Sequence, residues 1–254
     1  MTATLGTNGL GAVDQGAPVP YPWLWACFLS PANKSEIGED GHPKRGGFLP
    51  PISNPRRMWA GSRCTFSAPI HVGQTLRKTS TITSVTEKDG RAGPMVFVTV
   101  THETHLSDTL AMREEQDIVY MNIPEVFSPP PGKSVPDCSI VEDVEIDPVL
   151  LFRYSALTFN GHRIHYDRPY AKDVEKYPGL VVHGPLQATL LYDLAIRTFP
   201  DRTPVSFTFR GNRPLFDFDT VTLNAREGDG DTLELYTANG DGLISMTATL
   251  VWAA

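Results

Sequence analysis

Cysteine is scarce in this chain. Cys27, Cys64 and Cys138 are the only three, widely spaced and with no Cys-x-x-Cys pair. That argues against a disulfide framework and fits a reducing compartment. Long hydrophobic runs are missing too: no stretch of about 18 apolar residues occurs, so neither a membrane span nor a membrane partner is expected. Basic charge is in deficit, with 22 Lys and Arg against 29 Asp and Glu, a formal net charge of -7. Neutralising a phosphate backbone needs a dense basic face, so no nucleic acid is expected as a partner. Residues 1–20 carry no Lys or Arg and are rich in Gly, Thr and Ala. They do not resemble an ordinary secretory or mitochondrial signal and read as a flexible leader, with a cytoplasmic location as the expectation. There is no His-Glu-x-x-His and no Gly-x-Ser-x-Gly elbow. Gly9-Leu-Gly11 has no strand before it, and Asp14 stands where a dinucleotide fingerprint needs its third glycine.

What the chain does have is strand grammar. At 254 residues and 41% hydrophobic it can build one large domain or two small ones with a substantial core. Thr79–Thr86, Met95–His105 and Leu110–Met121 alternate apolar and polar residues, with turns at Lys88–Arg91 and Ser107-Asp108. Val205–Arg210, Thr220–Arg226, Thr232–Thr237 and Leu243–Trp252 repeat that grammar, joined by Glu227–Asp231 and Asn239–Gly242. The last is the clearest: Ile244, Met246, Ala248, Leu250 and Trp252 fall on one face. Between Val141 and Pro200 the period changes. Asp147-Pro148 opens a short helix with Pro in its first turn. Leu186–Arg197 reads as a helix with almost no polar face, which must be covered nearly all round. A curved antiparallel sheet wrapped about that helix would do so. Pro129–Gly132 is the best linker. The organisation expected is therefore α+β, with a leader at 1–20, a module at 21–135 and a second module at 136–254. Pro22–Leu29 is at most a remnant of a central helix in the first module, and its loss would leave room for a large ligand.

Chemistry concentrates in Phe152–Asp167 and Pro178–Gln187. The run Asn160-Gly-His-Arg-Ile-His-Tyr-Asp167 packs two histidines, an amide and a carboxylate together, and His183-Gly184-Pro185 opens the apolar helix. A site that activates water and holds a developing oxyanion needs such groups beside a helix N-terminus. The run resembles the signature of the MaoC-like hydratases and dehydratases, which have the hotdog fold. Asn160 stands where that signature usually has Asp. Asn-x-His-[Arg/Lys]-Ile-His-Tyr-Asp is instead similar to the branch of type 2 3-hydroxyacyl-thioester dehydratases and mesaconyl-C4-CoA hydratases, and the resemblance extends from about residue 20 to the C-terminus. Gly47–Pro51, Arg56–Gly61, Gly93–Val98 and Glu114–Tyr120 look like the N-terminal half of that branch. The resemblance implies a double hotdog whose first module has a degraded central helix and whose two sheets pair edge to edge. It implies reversible hydration or dehydration of an enoyl/3-hydroxyacyl thioester of coenzyme A or an acyl-carrier protein. Coenzyme A would be part of the substrate, with no further cofactor.

His165 is the leading acid/base, since an imidazole titrates near neutrality. Asn160 cannot be a base but can position water through its amide; it can equally be a turn residue before Gly161. The N–H of Gly184 is the expected oxyanion donor, and His183 either lines the site or packs. Asp167 either orients His165 or closes the turn. His162 and Arg163 are candidate substrate contacts, Arg163 through a bidentate grip on an anion, against the alternative of a surface salt bridge. The histidines do not have zinc-site spacing, so no metal is expected. Lys44-Arg45, Arg56-Arg57 with Arg63, and Arg210 with Arg213 are short basic groups that could meet phosphates or an acidic carrier. A thioesterase with Asp193 as its carboxylate, and a non-catalytic thioester-binding subunit, are the alternative functions. A homodimer is possible.

Overall fold

The structure, a computed structural model, describes residues 1–6, 14–90 and 93–254. Gly9–Gly11 and the Arg91 end of the Lys88 turn therefore lie outside the described residues. Nine strands form one antiparallel sheet: β1 (Arg56–Phe66), β2 (Leu76–Gly90), β3 (Gly93–Leu106), β4 (Thr109–Met121), β5 (Ile140–Val144), β6 (Pro204–Gly211), β7 (Val221–Glu227), β8 (Thr232–Ala238) and β9 (Ile244–Trp252), in the order β2-β3-β4-β1-β6-β9-β8-β7-β5. Three helices accompany it: α1 (Thr2–Leu5), α2 (Pro148–Thr158) and α3 (Gly184–Thr198).

α3 is the core of the second half. Every residue from Pro185 to Ala195 is buried, as a helix without a polar face requires. Its polar side chains find partners inside: Thr189 Oγ1 donates to the Pro185 carbonyl at 2.7 Å, and Gln187 Oε1 accepts from Thr237 Oγ1 at 2.7 Å. The inward face of β9, from Ile244 to Trp252, is buried at every second residue. Each such side chain contributes about 1.5–3 kcal/mol by leaving water. α2 starts as its sequence dictates, with the Asp147 carboxylate accepting the Leu150 N–H at 2.7 Å.

The halves join where β1 pairs antiparallel with β6, Gly61 opposite Arg210. A Cβ on Gly61 would sit 2.3 Å from the Phe209 carbonyl oxygen, so only glycine permits that pairing. One residue earlier the register of β1 against β4 shifts between Trp59 and Gly61, a bulge that re-aims the strand. Joining removes two exposed edges at once.

Two expectations need correction. The leader is not simply loose: Met1 and Leu5 pack against the core, Arg153 donates to the Ala3 carbonyl at 2.8 Å, and the Val19 N–H donates to Ile70 O at 2.8 Å. The space expected to be left by a degraded central helix in the first half is partly filled. A 3-10 helix, Tyr21–Ala26, occupies part of the space, with Trp23 and Leu24 buried. Trp25 then packs edge-on against Trp59 at 5.1 Å and Phe209 at 5.8 Å, while its Nε1 donates to Glu114 at 3.1 Å. Aromatic rings supply large apolar area from a short segment, which is how six residues do the filling of a longer helix.

Candidate active site

The chain leaves α2 through Phe159, which takes a left-handed φ of 52°, and turns back toward α3. The Asn160 Oδ1 accepts the His162 N–H at 3.0 Å, a local turn that asparagine is built to make. Arg163–His165 form one 3-10 turn. Gly161 makes this loop possible in tertiary terms as well: a Cβ there would meet the Gly41 carbonyl oxygen at 2.4 Å, and one on Gly41 would meet the Gly161 oxygen still more closely. A loop of the first half is thus pressed onto the loop that carries the signature, and the Arg163 N–H donates to Asp40 O at 2.9 Å.

His165 is buried, and its Nδ1 lies 2.7 Å from the Val181 carbonyl oxygen. A carbonyl only accepts, so the proton is on Nδ1 and the Nε2 lone pair is left for chemistry. The imidazole stacks on His183, centroids 3.6 Å apart and planes within 18°. Burial, then the neighbouring His183 and His162, push the pKa of His165 well below its ordinary value, against the opposing pull of Val181 O. At neutral pH the ring is a neutral base. His183 is fully buried, its Nε2 is 2.8 Å from Ser155 Oγ, and burial pushes its pKa down to about 3. Its Nδ1 is sealed from solvent without a partner.

His183 is also the residue before α3. The Gly184 N–H finds no acceptor among the described residues, Pro185 has no N–H, and no side chain caps this helix. An uncapped, partly positive helix end beside a neutral imidazole has the chemistry to hold a developing oxyanion next to a base. The position of a Cβ at residue 184 is 3.8 Å from the Trp59 carbonyl oxygen, so the bulged part of β1 forms the facing wall.

The other signature residues divide. His162 is buried and its Nε2 donates to Glu175 Oε1 at 2.8 Å; Glu175 in turn pairs with Arg56 Nε at 3.1 Å. Asp167 closes its turn by accepting the Tyr170 N–H at 3.1 Å and pairs with Arg163 at 2.7 Å. It does not orient His165, because the Val181 carbonyl already fills that role. Arg163 spends its fork on Asp167 and the Glu39 carbonyl and lies over the Tyr170 ring. Three of its five donors are used in this way, in the salt bridge that was the alternative reading and in a bond to a carbonyl. Asp193 is taken by Arg197 at 2.7 Å, more than two turns of α3 from Gly184, a poor position for a hydrolytic carboxylate.

Sequence reasoning missed the residues from the first half. Asp40 accepts from His42 Nδ1 at 3.1 Å, and the His42 ring lies 4.4 Å from that of His162. Burial pushes His42 down to about 4; burial alone would raise Asp40, but hydrogen bonds and charge from His42 and the Arg57 charge hold it below the usual carboxylate range. Asp40, His42 and His162 bring ligand-type atoms within 4.8 Å of one another. The Arg57 guanidinium 3.9 Å from Asp40 and the Arg56 charge on Glu175 oppose a cation there. A cavity of about 210 Å³ lined by Phe127, Arg213, Phe216 and Phe218 contains none of these histidines.

One curved sheet with a buried helix, a neutral histidine and an unsatisfied helix N-terminus define a MaoC-like hotdog hydro-lyase. The sequence profile of the family described as hydroxyacyl-thioester dehydratase type 2 matches residues 23–217. The mesaconyl-C(4)-CoA hydratase of Chloroflexus aurantiacus is 47% identical over 242 residues, 94% of this chain and 86% of that protein. The mitochondrial hydroxyacyl-thioester dehydratase type 2 of Schizosaccharomyces pombe is 28% identical over 77% of this chain and 73% of its own. In fold, HtdX from Mycobacterium tuberculosis superposes with a TM-score of 0.66 at 19% identity, covering 98% of this chain and 92% of its own. The MaoC-like dehydratase from Phytophthora capsici does so with 0.68 at 14%, over 99% and 90%. The chain belongs to the hydroxyacyl-thioester dehydratase type 2 family, and it is a hydro-lyase acting by hydration or dehydration of an acyl thioester.

Proposed function

We propose that this protein hydrates, reversibly, the coenzyme A thioester of a short 2-enoic acid, with His165 as the acid/base. The observation that carries the reading is the His165 tautomer fixed by Val181 beside the free Gly184 N–H. His165 Nε2 takes a proton from water as the water oxygen bonds to the β carbon. The π electrons move toward the thioester, and the Gly184 N–H and the α3 dipole stabilise the resulting enolate oxygen. The proton on Nε2 then passes to the α carbon, so that one water is added and the base is regenerated. Asn160 supports this through its free Nδ2 and the second lone pair of the oxygen that caps His162.

A coenzyme A ester, in preference to a carrier-protein ester, is supported by the coenzyme A named for the 47% identical relative. A short acyl group is supported by Trp25, Trp59 and Phe209, whose rings occupy the interior that a long chain would need. The test is a panel of enoyl-CoA esters of increasing length, read by mass spectrometry for gain of one water and by thiol release. Gain of water on C4–C5 esters, falling about a hundredfold or more in His165→Ala that still melts normally, is the expected result. Thiol release without hydration, or full activity in His165→Ala, would overturn it.

A further inference from the structure

Most arginines noted in the sequence are consumed by the fold. Arg45 donates to the carbonyls of Ile52, Ser53 and Pro55, Arg56 pairs with Glu175, Arg63 grips Glu115 and Asp117, and Arg213 donates to the Pro130 carbonyl. Arg57 is different. Its side chain is 10% exposed, yet it makes no hydrogen bond, and its ion-pair partner, Asp40 Oδ2, stands 3.9 Å from NH2. That oxygen is already taken by His42 Nδ1 at 3.1 Å. A guanidinium presents five donors in a planar fork, and among the described residues none of those on Arg57 is taken by a hydrogen bond, while its nitrogens stay reachable from outside. A charge kept in that state is suited to an anion that arrives from outside.

Its place says which anion. Arg57 and Trp59 lie two residues apart on β1 and so share a face, about 6.6 Å apart along the strand. The Trp59 carbonyl oxygen borders Gly184, where the thioester carbonyl is polarised. The intervening surface is the His42 ring on His162, and the His162 ring 5.6 Å from His165. A four-carbon dicarboxylic acyl group separates its two end carbons by about 4 Å, three bonds of ~1.5 Å in a trans chain. With the reach of the carboxylate oxygens and the guanidinium added, such a group is of the same order of length as the two-residue step of β1 from Trp59 to Arg57. The charged groups around that position are Asp40, which approaches one end of the fork, and the Arg56–Glu175 pair, which is internally neutral.

Resting on the hydratase reading above, we propose that Arg57 binds the free carboxylate of a short dicarboxylic monothioester and makes that carboxylate the specificity determinant of the enzyme. The carboxylate takes the unmatched donors of the fork, and the acyl chain is held straight between Arg57 and the N-terminus of α3.

The experiment compares mesaconyl-C4-CoA with its C1 methyl ester, which keeps the alkene and the carbonyl but removes the charge. Wild-type enzyme is expected to prefer the acid by about a hundredfold in kcat/KM, the scale of a charge-assisted bidentate pair. Arg57→Gln should collapse that ratio to within a few-fold. Arg57→Lys, which keeps the charge without the fork, should retain part of it and carries the test if the Gln variant does not fold. Equal wild-type turnover of acid and ester, or a ratio unchanged in the folded Arg57 variants, overturns the inference while leaving the hydratase reading intact. Turnover of neither thioester, nor of any enoyl-CoA in the panel, overturns the hydratase reading and this one with it.

Discussion

Lowering the pH should unfold this protein from its active site outward. His165 and His183 are buried, stacked and neutral, with His183 pushed down to about 3 and His165 well below its ordinary value. In the unfolded chain each titrates near 6.5. Below that pH the unfolded state binds protons that the folded state refuses, so stability falls as the pH falls, and keeps falling until the folded pKa is reached. At pH 5.0 His183 alone, with its folded value near 3, costs roughly 2 kcal/mol, and His165 adds to the loss in the same direction. His42, down to about 4 with a fifth of its side chain still exposed, adds a smaller share in the same direction. Asp193 and Asp219, whose carboxyls burial raises, act in the opposite sense. A loss of roughly 2 kcal/mol from one ring is already a sizeable part of the 5–15 kcal/mol typical of a domain. Urea unfolding at pH 7.5 and 5.0 measures it: the midpoint should drop, with a slope of about one proton per molecule or more between pH 6 and 5. His183→Asn should lessen the slope. A midpoint unchanged between the two pH values would refute the claim that both rings are held neutral.

Three further outcomes follow from the same geometry. Gly184→Val should keep its melting temperature within a few degrees, because a Cβ there meets nothing closer than 3.8 Å, yet lose on the order of a hundredfold in kcat/KM as the thioester oxygen is held off the helix N–H; paired melting and kinetic measurements check both halves. Glu175→Gln should destabilise the fold by about 3–5 kcal/mol, since it leaves Arg56 buried and uncompensated, and the urea midpoint reports it. Asn160→Asp should keep measurable hydration, because Asp can still accept the His162 N–H, with a shifted pH–rate profile from the added titrating group.

The second half of the fold was legible because its residues obey local rules. Ile244, Met246, Ala248, Leu250 and Trp252 recur at every second position and are all buried, and the apolar run from Leu186 is a buried helix. β1 was not legible as a strand. Arg56 and Ser62 occupy two of its buried positions, beside Cys64 and Phe66, and their polar partners are distant in sequence. The roles proposed for His165 and Gly184 come from motif chemistry. The tautomer of His165 does not, because the carbonyl that sets it belongs to Val181. Asp167 looked like its natural partner by spacing, but the chain turns in a 3-10 bend there and sends that carboxylate to Arg163. Asp40 and His42 had no local signal, and Arg57 stood out only as one of a short basic group. Asp40 and His42 come to the signature loop through the contact of Gly41 with Gly161 and the bonds from Arg163 to Asp40 O and Glu39 O, and Arg57 through β1.

That clasp between two glycines separates two kinds of inheritance within one chain. The groups proposed to move protons and polarise the carbonyl come from residues after 150, while Arg57 and Trp59 across from them come from residues before 70. A change in Arg57, Trp59 or the loop around His42 can alter which acyl group is accepted without disturbing the machinery that adds water. In a symmetric pair of identical subunits every such change would be copied into both roles at once. A chain that builds the two halves from different residues gives substrate preference a surface on which to vary while the reaction stays fixed.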